Sequence, residues 1–130
     1  MPVLGIGGLF FRSRDPKALS AWYRDHLGVG GGCVAPGESE PPNEWVWRQA
    51  AGPTVFQPFS ADTDYFAADK AFMVNLRVSE LDALLASLRE AGIEAITKPE
   101  WDDPQVGWFA RLHDPEGNAV ELWEPASSPT

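Results

Sequence analysis

Basic side chains, cysteine and histidine are all scarce in this chain of 130 residues. Ten lysines and arginines face nineteen aspartates and glutamates, which leaves a net charge of −9. A surface of that sign repels phosphate backbones and anionic bilayers and draws in cations, so no nucleic-acid or membrane partner is expected. The single Cys33 forms no internal disulfide, and one cysteine makes no zinc site. No run approaches the ~20 apolar residues of a membrane span. Met1, Pro2 and Val3 lead straight towards a strand-like run without a signal peptide, so a soluble cytoplasmic protein is expected. The length fits one domain, 1–130, with a single core.

What is abundant is punctuation and aromatic surface. Asp114-Pro115-Glu116-Gly117-Asn118 is built for reversal: Pro115 presets its φ, and Gly117 and Asn118 tolerate positive φ. It separates two strand-like runs, 108–113 and 119–124, and so predicts a hairpin. In the second arm Val120 and Leu122 alternate with Ala119, Glu121 and Trp123, giving one apolar face and one that carries a carboxylate and an indole.

Earlier in the chain, Ile6, Leu9, Phe10 and Phe11 form an apolar run that ends just before Asp15-Pro16, an N-cap followed by proline at the first helical position. Leu19, Trp22, Tyr23 and Leu27 then recur as one buried stripe, and Gly28 stops the helix. After a glycine-rich stretch, 30–37, and an acidic loop with Glu38, Glu40 and Glu44, runs 45–49 and 54–59 read as two strands. A polar connection, 60–70, leads to an alternating strand over 72–78 with Val74 and Leu76 on one face and Met73, Asn75 and Arg77 on the other. Ser79 and Asp82 resemble a capping box before the stripe Leu81, Leu84, Leu85 and Leu88, which Gly92 ends. A short strand, 93–97, and a turn-rich stretch, 99–105, precede the hairpin.

The chain repeats itself. A shift of 65 residues lays Arg12 on Arg77, Ala18 on Ala83, Leu19 on Leu84, Ala21 on Ala86 and Arg24 on Arg89, with Asp15 over Glu80 and Asp25 over Glu90. Each copy has one helix to cover one face of its strands, so the other faces are free to curve around something.

The strand-helix-strand-strand-strand plan resembles the vicinal oxygen chelate superfamily. The likeness rests also on the Asp-Pro helix entry, on Trp-Tyr-Arg-Asp-His-Leu-Gly-Val at 22–29 and on Asp-Pro-Glu-Gly-Asn-Ala-Val-Glu-Leu-Trp-Glu-Pro at 114–125. That superfamily includes glyoxalase I, extradiol dioxygenases, fosfomycin-resistance enzymes and bleomycin-resistance proteins. The resemblance implies an α+β fold: two tandem βαβββ modules, about 4–60 and about 72–125 with a linker about 60–71, forming a curved, mostly antiparallel sheet around a cavity with helices on the convex face. It also implies a homodimer, in which modules of two chains complete each cavity.

Enzymes of the superfamily hold a divalent ion through His, Gln or Glu near the start of each module's first strand and Glu near the end of its last. Counting back seven residues from Asp15 and from Glu80 reaches Gly8 and Met73, a hydrogen and a thioether, so only Glu121 keeps a ligand of the family type. Glu121 is a relic, a salt-bridge partner for Arg77 or Arg111, or a contact to ligand. His113 beside the turn and His26 at a helix end read as ordinary surface residues.

The candidate ligand-binding residues are Trp45, Trp47, Phe56, Phe59, Asn75, Arg77, Trp101, Trp108, Phe109, Arg111 and Glu121. Indole faces stack on flat rings and attract cations, and the carboxylates around Trp45 and Trp101 add long-range attraction. The bleomycin-resistance branch therefore fits best: a metal-free protein, without cofactor, that sequesters an aromatic or cationic small molecule such as an antibiotic. The alternative is a glyoxalase-like lyase, isomerase or dioxygenase whose metal is held by Glu121 with Gln57 or His113. A third reading is an interaction module whose concave face receives a partner's segment.

Overall fold

The computed structural model describes residues 2–126. Its elements in chain order are α1 (Pro16–Leu27), β1 (Val74–Arg77), α2 (Leu81–Glu90), a single 3-10 turn (Pro99–Trp101), β2 (Gly107–His113) and β3 (Ala119–Pro125). The class is α+β, with helices against one face of a mixed sheet of order β1-β3-β2. β1 runs parallel to β3 and β2 antiparallel to it. Ile96 adds a fourth, one-residue rung on the far side of β2: it exchanges both backbone hydrogen bonds with Arg111 at 2.8 Å. The second half is thus the predicted βαβββ unit, with its second strand reduced to a bridge.

Both helices begin and end for identifiable reasons. Asp15 caps α1 by accepting from the Ala18 amide at 3.2 Å, Pro16 occupies the first turn, and Gly28 closes it at φ 66°. Leu19 and Tyr23 are buried, with Trp22 and Leu27 packed beside them, as the stripe predicts. α2 differs from expectation at its start. Glu80, not Ser79, stands at the N-cap in a left-handed conformation and makes no side-chain cap. The carboxylate of Glu124 instead reaches over from β3 and accepts from the Leu81 amide at 2.7 Å. A negative charge from another element thereby does the work of the capping box. The other end is a Schellman closure: Gly92 has φ 80°, and the Ile93 amide bonds the Leu88 carbonyl at 2.9 Å.

Alternation divides the sheet into two faces. Val74, Leu76, Ala110, Leu112, Val120 and Leu122 point at the helices and pack with Leu19, Tyr23, Leu81, Leu85 and Leu88. Fully burying each such leucine or valine contributes about 1.5–3 kcal/mol, so this one layer carries most of the apolar stabilisation. The other face, with Asn75, Arg77, Phe109, Arg111, Glu121 and Trp123, has no helix over it among the described residues.

The first half departs from its strand reading. It supplies α1 and an isolated parallel bridge between Val34 and Arg48. Segments 6–11 and 54–59 have no ladder partner among the described residues, and Phe10 and Phe56 are 95% and 85% exposed. A strand exists only through its neighbour's hydrogen bonds. Both segments have a strand-like apolar composition, but Gly7 and Gly8 in the first and Pro58 in the second weaken any β preference that could hold either one without a partner.

Candidate functional site

The open face of the sheet gathers a polar and aromatic cluster. The register sets Asn75 beside Glu121 on one side and Arg111 beside it on the other, so the three stand in a row across β1, β3 and β2. Glu121 is buried, and both of its oxygens are engaged. Oε1 accepts from Asn75 Nδ2 at 2.8 Å, and Oε2 accepts from the hydroxyl of Tyr65.

Arg111 fills the space between two rings. Its Cζ lies 4.3 Å from the centre of Tyr65 and 5.2 Å from that of Trp101, distances at which a guanidinium is held by the π faces. Its Nη2 donates weakly to the thioether of Met73, at 3.9 Å, and its buried Nε has no acceptor. No carboxylate lies within 4.0 Å of this guanidinium among the described residues. Lys98 Nζ sits 5.3 Å from the centre of Trp101. Phe59 extends the cluster, 5.6 Å from Tyr65 and 5.8 Å from Phe66. Phe109 and Trp123 stack in parallel on the same face at 6.2 Å. An open depression of about 350 Å³ adjoins them, lined by Arg77, Trp123, Val106 and Gln105.

Burial raises the Tyr65 hydroxyl to about 12, the hydrogen bond to Glu121 and that carboxylate's charge push the same way, and Arg111 opposes them. At neutral pH the phenol is therefore a firm donor to Glu121.

The donors around Glu121 suit hydrogen bonding, not a divalent ion. It is bonded by an amide and a phenol and flanked by the fixed cation of Arg111, beside which Met73 adds only a thioether, and no group of three His, Cys, Asp or Glu able to hold an ion occurs among the described residues. Met73 lies by Arg111 on this face, where the repeat placed it. Gly8 belongs to the unpaired segment, where an added Cβ would meet only the Phe10 ring.

Of the residues expected from the sequence, Asn75, Arg77, Trp101, Phe109, Arg111, Glu121 and Phe59 come together. The others lie elsewhere. Trp108 alternates onto the helix side of β2 and is 42% exposed, Trp47 packs against the core, and Trp45 and Phe56 are exposed. His113 lines a separate depression of about 390 Å³ with Trp22, Ile93 and Pro115. Gln57 is exposed in the unpaired segment. Tyr65 is the central residue that sequence reading missed, since it sits in a connection that reads as polar. Its signal was the Tyr-Phe pair, 65–66, inside an otherwise acidic and small-residue run.

The Asp114–Asn118 turn serves structure. Asp114 is buried and accepts from the Tyr23 hydroxyl at 2.7 Å, the Glu116 amide at 2.9 Å, the Asn118 amide at 3.0 Å and Asn118 Nδ2 at 2.8 Å. Burial, Asp114's hydrogen bond and its charge raise the Tyr23 hydroxyl far above the ordinary tyrosine value. Glu116 clamps the start of α1, accepting from the Ser13 hydroxyl at 2.7 Å and the amides of Arg14 and Asp15 at 2.8 and 3.2 Å. Those bonds hold its carboxyl below the usual range, Ser13 contributing most.

Comparison with known proteins agrees with this architecture. A family model described as a glyoxalase-like domain matches residues 8–123. Among solved structures, TnmS3, an antibiotic binding protein from Streptomyces sp. CB03234, matches with a TM-score of 0.58 at 22% identity, over 96% of this chain and 98% of that one. At that identity the likeness is one of fold. No curated protein matches the chain.

Proposed function

The chain belongs to the glyoxalase-like domain family, as its likeness to the vicinal oxygen chelate superfamily implied, and we propose that it is a metal-independent small-molecule-binding protein of the bleomycin-resistance type. It would sequester an aromatic or cationic compound, such as an antibiotic, in the cytoplasm and without a cofactor. The observation that carries the reading is the state of Glu121. The one carboxylate in the family's ligand position is engaged on both oxygens, by Tyr65 and Asn75, and stands beside a guanidinium, within a cluster rich in aromatic rings. Sequestration needs affinity and no chemistry, so the missing ligands cost it nothing. The fold shared with an antibiotic binding protein supports the same reading.

The proposal includes a homodimer, with residues 1–130 as one domain. The 65-residue repeat sets 9–12 against 55–58 as β1 lies against β3, yet both first-half segments are unpaired and carry exposed Leu9, Phe10, Val55 and Phe56. Edges of that kind are stable only when covered. A second copy of the chain offers a cover of matching length.

Tryptophan fluorescence titrated with planar and cationic drugs tests the function. Saturable quenching is expected, with no stoichiometric metal in the purified protein by elemental analysis. Flat traces across the panel together with a tightly bound ion lost in Glu121→Gln would reverse the conclusion. Sedimentation at micromolar protein tests the dimer, and a monomer there would remove it.

A further inference from the structure

We infer that Tyr65 is an internal stand-in for the ligand, and that the site takes a neutral, planar hydroxyaryl compound whose phenolic hydroxyl is donated to Glu121 once Tyr65 has swung out. The inference rests on the binding role proposed above and narrows its ligand. Tyr65 belongs to no helix or strand. It lies between the 60–63 turn and the 67–70 turn, and its only local anchor is the Thr63 hydroxyl, which accepts from the Tyr65 amide at 3.2 Å. What holds the ring is a set of contacts that a free phenol would make equally well: its face to Arg111 at 4.3 Å, its edge to Trp101 at 6.4 Å, a flank to Phe59 at 5.6 Å, and its hydroxyl to Glu121.

The same geometry argues against a cationic ligand at this point. The indole of Trp101 already has two cations near it, Lys98 Nζ at 5.3 Å and Arg111 Cζ at 5.2 Å. Arg111 forms no ion pair within 4.0 Å among the described residues, so a further positive charge would meet it with only the neighbouring Glu121 to offset the repulsion. Once Tyr65 leaves, Arg111 keeps Trp101 but loses one of its two flat neighbours, its buried Nε still lacks an acceptor, and Glu121 is short of one donor. A hydroxylated aromatic ring supplies the face and the donor together. An aryl ammonium supplies a donor at the cost of like-charge repulsion.

The test uses the full chain with Tyr65→Ala and three small single-ring probes, p-cresol, 4-methylanisole and benzylamine, measured by calorimetry at neutral pH. A hydrogen bond to a charged acceptor should make p-cresol bind about ten- to a hundredfold more tightly than 4-methylanisole, with benzylamine weaker still. Adding Glu121→Gln should remove most of that preference. Should Tyr65→Ala fail to fold, the wild-type chain answers the question with 2-naphthol against 2-methoxynaphthalene, the naphthol being preferred. Equal binding of hydroxyl and ether, or preference for benzylamine, overturns the inference while leaving aromatic binding in place. Absence of binding by every aromatic probe in both proteins would take the parent reading down with it.

Discussion

The Tyr23–Asp114 hydrogen bond is the place where a single atom should have a measurable share in the fold. Tyr23→Phe deletes the donor at 2.7 Å but leaves Asp114 with three others, from the Glu116 and Asn118 amides and Asn118 Nδ2. A hydrogen bond to a charged group contributes about 1.5–3 kcal/mol, and the surviving donors put this deletion near the lower end, about 1.5 kcal/mol. Asp114→Ala is harsher. It removes all four bonds and strands the tyrosine hydroxyl in the core, for a cost of about 4 kcal/mol, a large part of a stability of about 5–15 kcal/mol. The sharp expectation concerns the double mutant. In the Asp114→Ala background the hydroxyl has become an unsatisfied buried group, so Tyr23→Phe should be neutral or stabilising there. Urea unfolding at pH 7 and one fixed protein concentration gives the four free energies of the cycle. If Tyr23→Phe costs the same with and without Asp114, the bond contributes nothing and the reasoning fails.

Three further outcomes follow from the same geometry. Both tyrosines of the chain have raised hydroxyls, Tyr65 to about 12 and Tyr23 above it, so the native protein should develop no phenolate absorbance near pH 10. A tyrosine that keeps its proton when folded adds stability that is complete below the ordinary value of 10.0 and fades as pH rises towards 12; a native titration centred at 10 would contradict this. Glu116, with its pKa depressed, adds stability that is present above the ordinary 4.5 and lost on acidification. Protection factors of the Arg14 and Asp15 amides should therefore fall in Glu116→Ala, and in the wild type at acid pH once the slower intrinsic exchange there is divided out, and unchanged protection would count against the clamp. Glu124→Ala removes the only side chain among the described residues that caps the start of α2 and should cost about 1 kcal/mol, read as a lower thermal midpoint of the helical dichroism; an unmoved midpoint would show the cap to be idle.

How much could be read in advance depended on whether a feature was local. Asp15-Pro16 with Gly28, the stripe on each helix, and the alternation of Val74 and Leu76 against Asn75 and Arg77 are settled within a few residues, and all appear as expected. The hairpin register follows from its turn, and with it the positions of Phe109, Arg111, Glu121 and Trp123. What escaped depended on distant partners. The Glu124 cap on α2 joins residues 43 apart, and Tyr65 meets Glu121 across 56. Segments 6–11 and 54–59 have the composition of strands but lack neighbours among the described residues, and composition cannot supply a neighbour. Trp45 and Trp108 were grouped with the site by residue type; period-two alternation alone would have turned Trp108 to the side of Ala110 and Leu112.

The same alternation explains why a turn motif that touches no ligand matters to the site. Residues 110, 112, 120 and 122 face the helices, and 109, 111, 121 and 123 face the open side, so a slip of one residue in pairing would exchange the two sets. The hairpin cannot slip easily because its turn is tied at both ends. The Asp114 amide bonds the Asn118 carbonyl at 2.9 Å, the Gly117 amide bonds the Asp114 carbonyl at 3.0 Å, and the Asp114 carboxylate anchors the turn to Tyr23 on α1. Gly107 fixes the other end of β2, where φ is 138° and any side chain would collide with the Glu124 carbonyl. Arg111 stands opposite Glu121 because of these two ends. Asp114→Ala should therefore weaken ligand binding in the fraction that remains folded, although its carboxylate lies with the helices on the far side of the sheet from Tyr65.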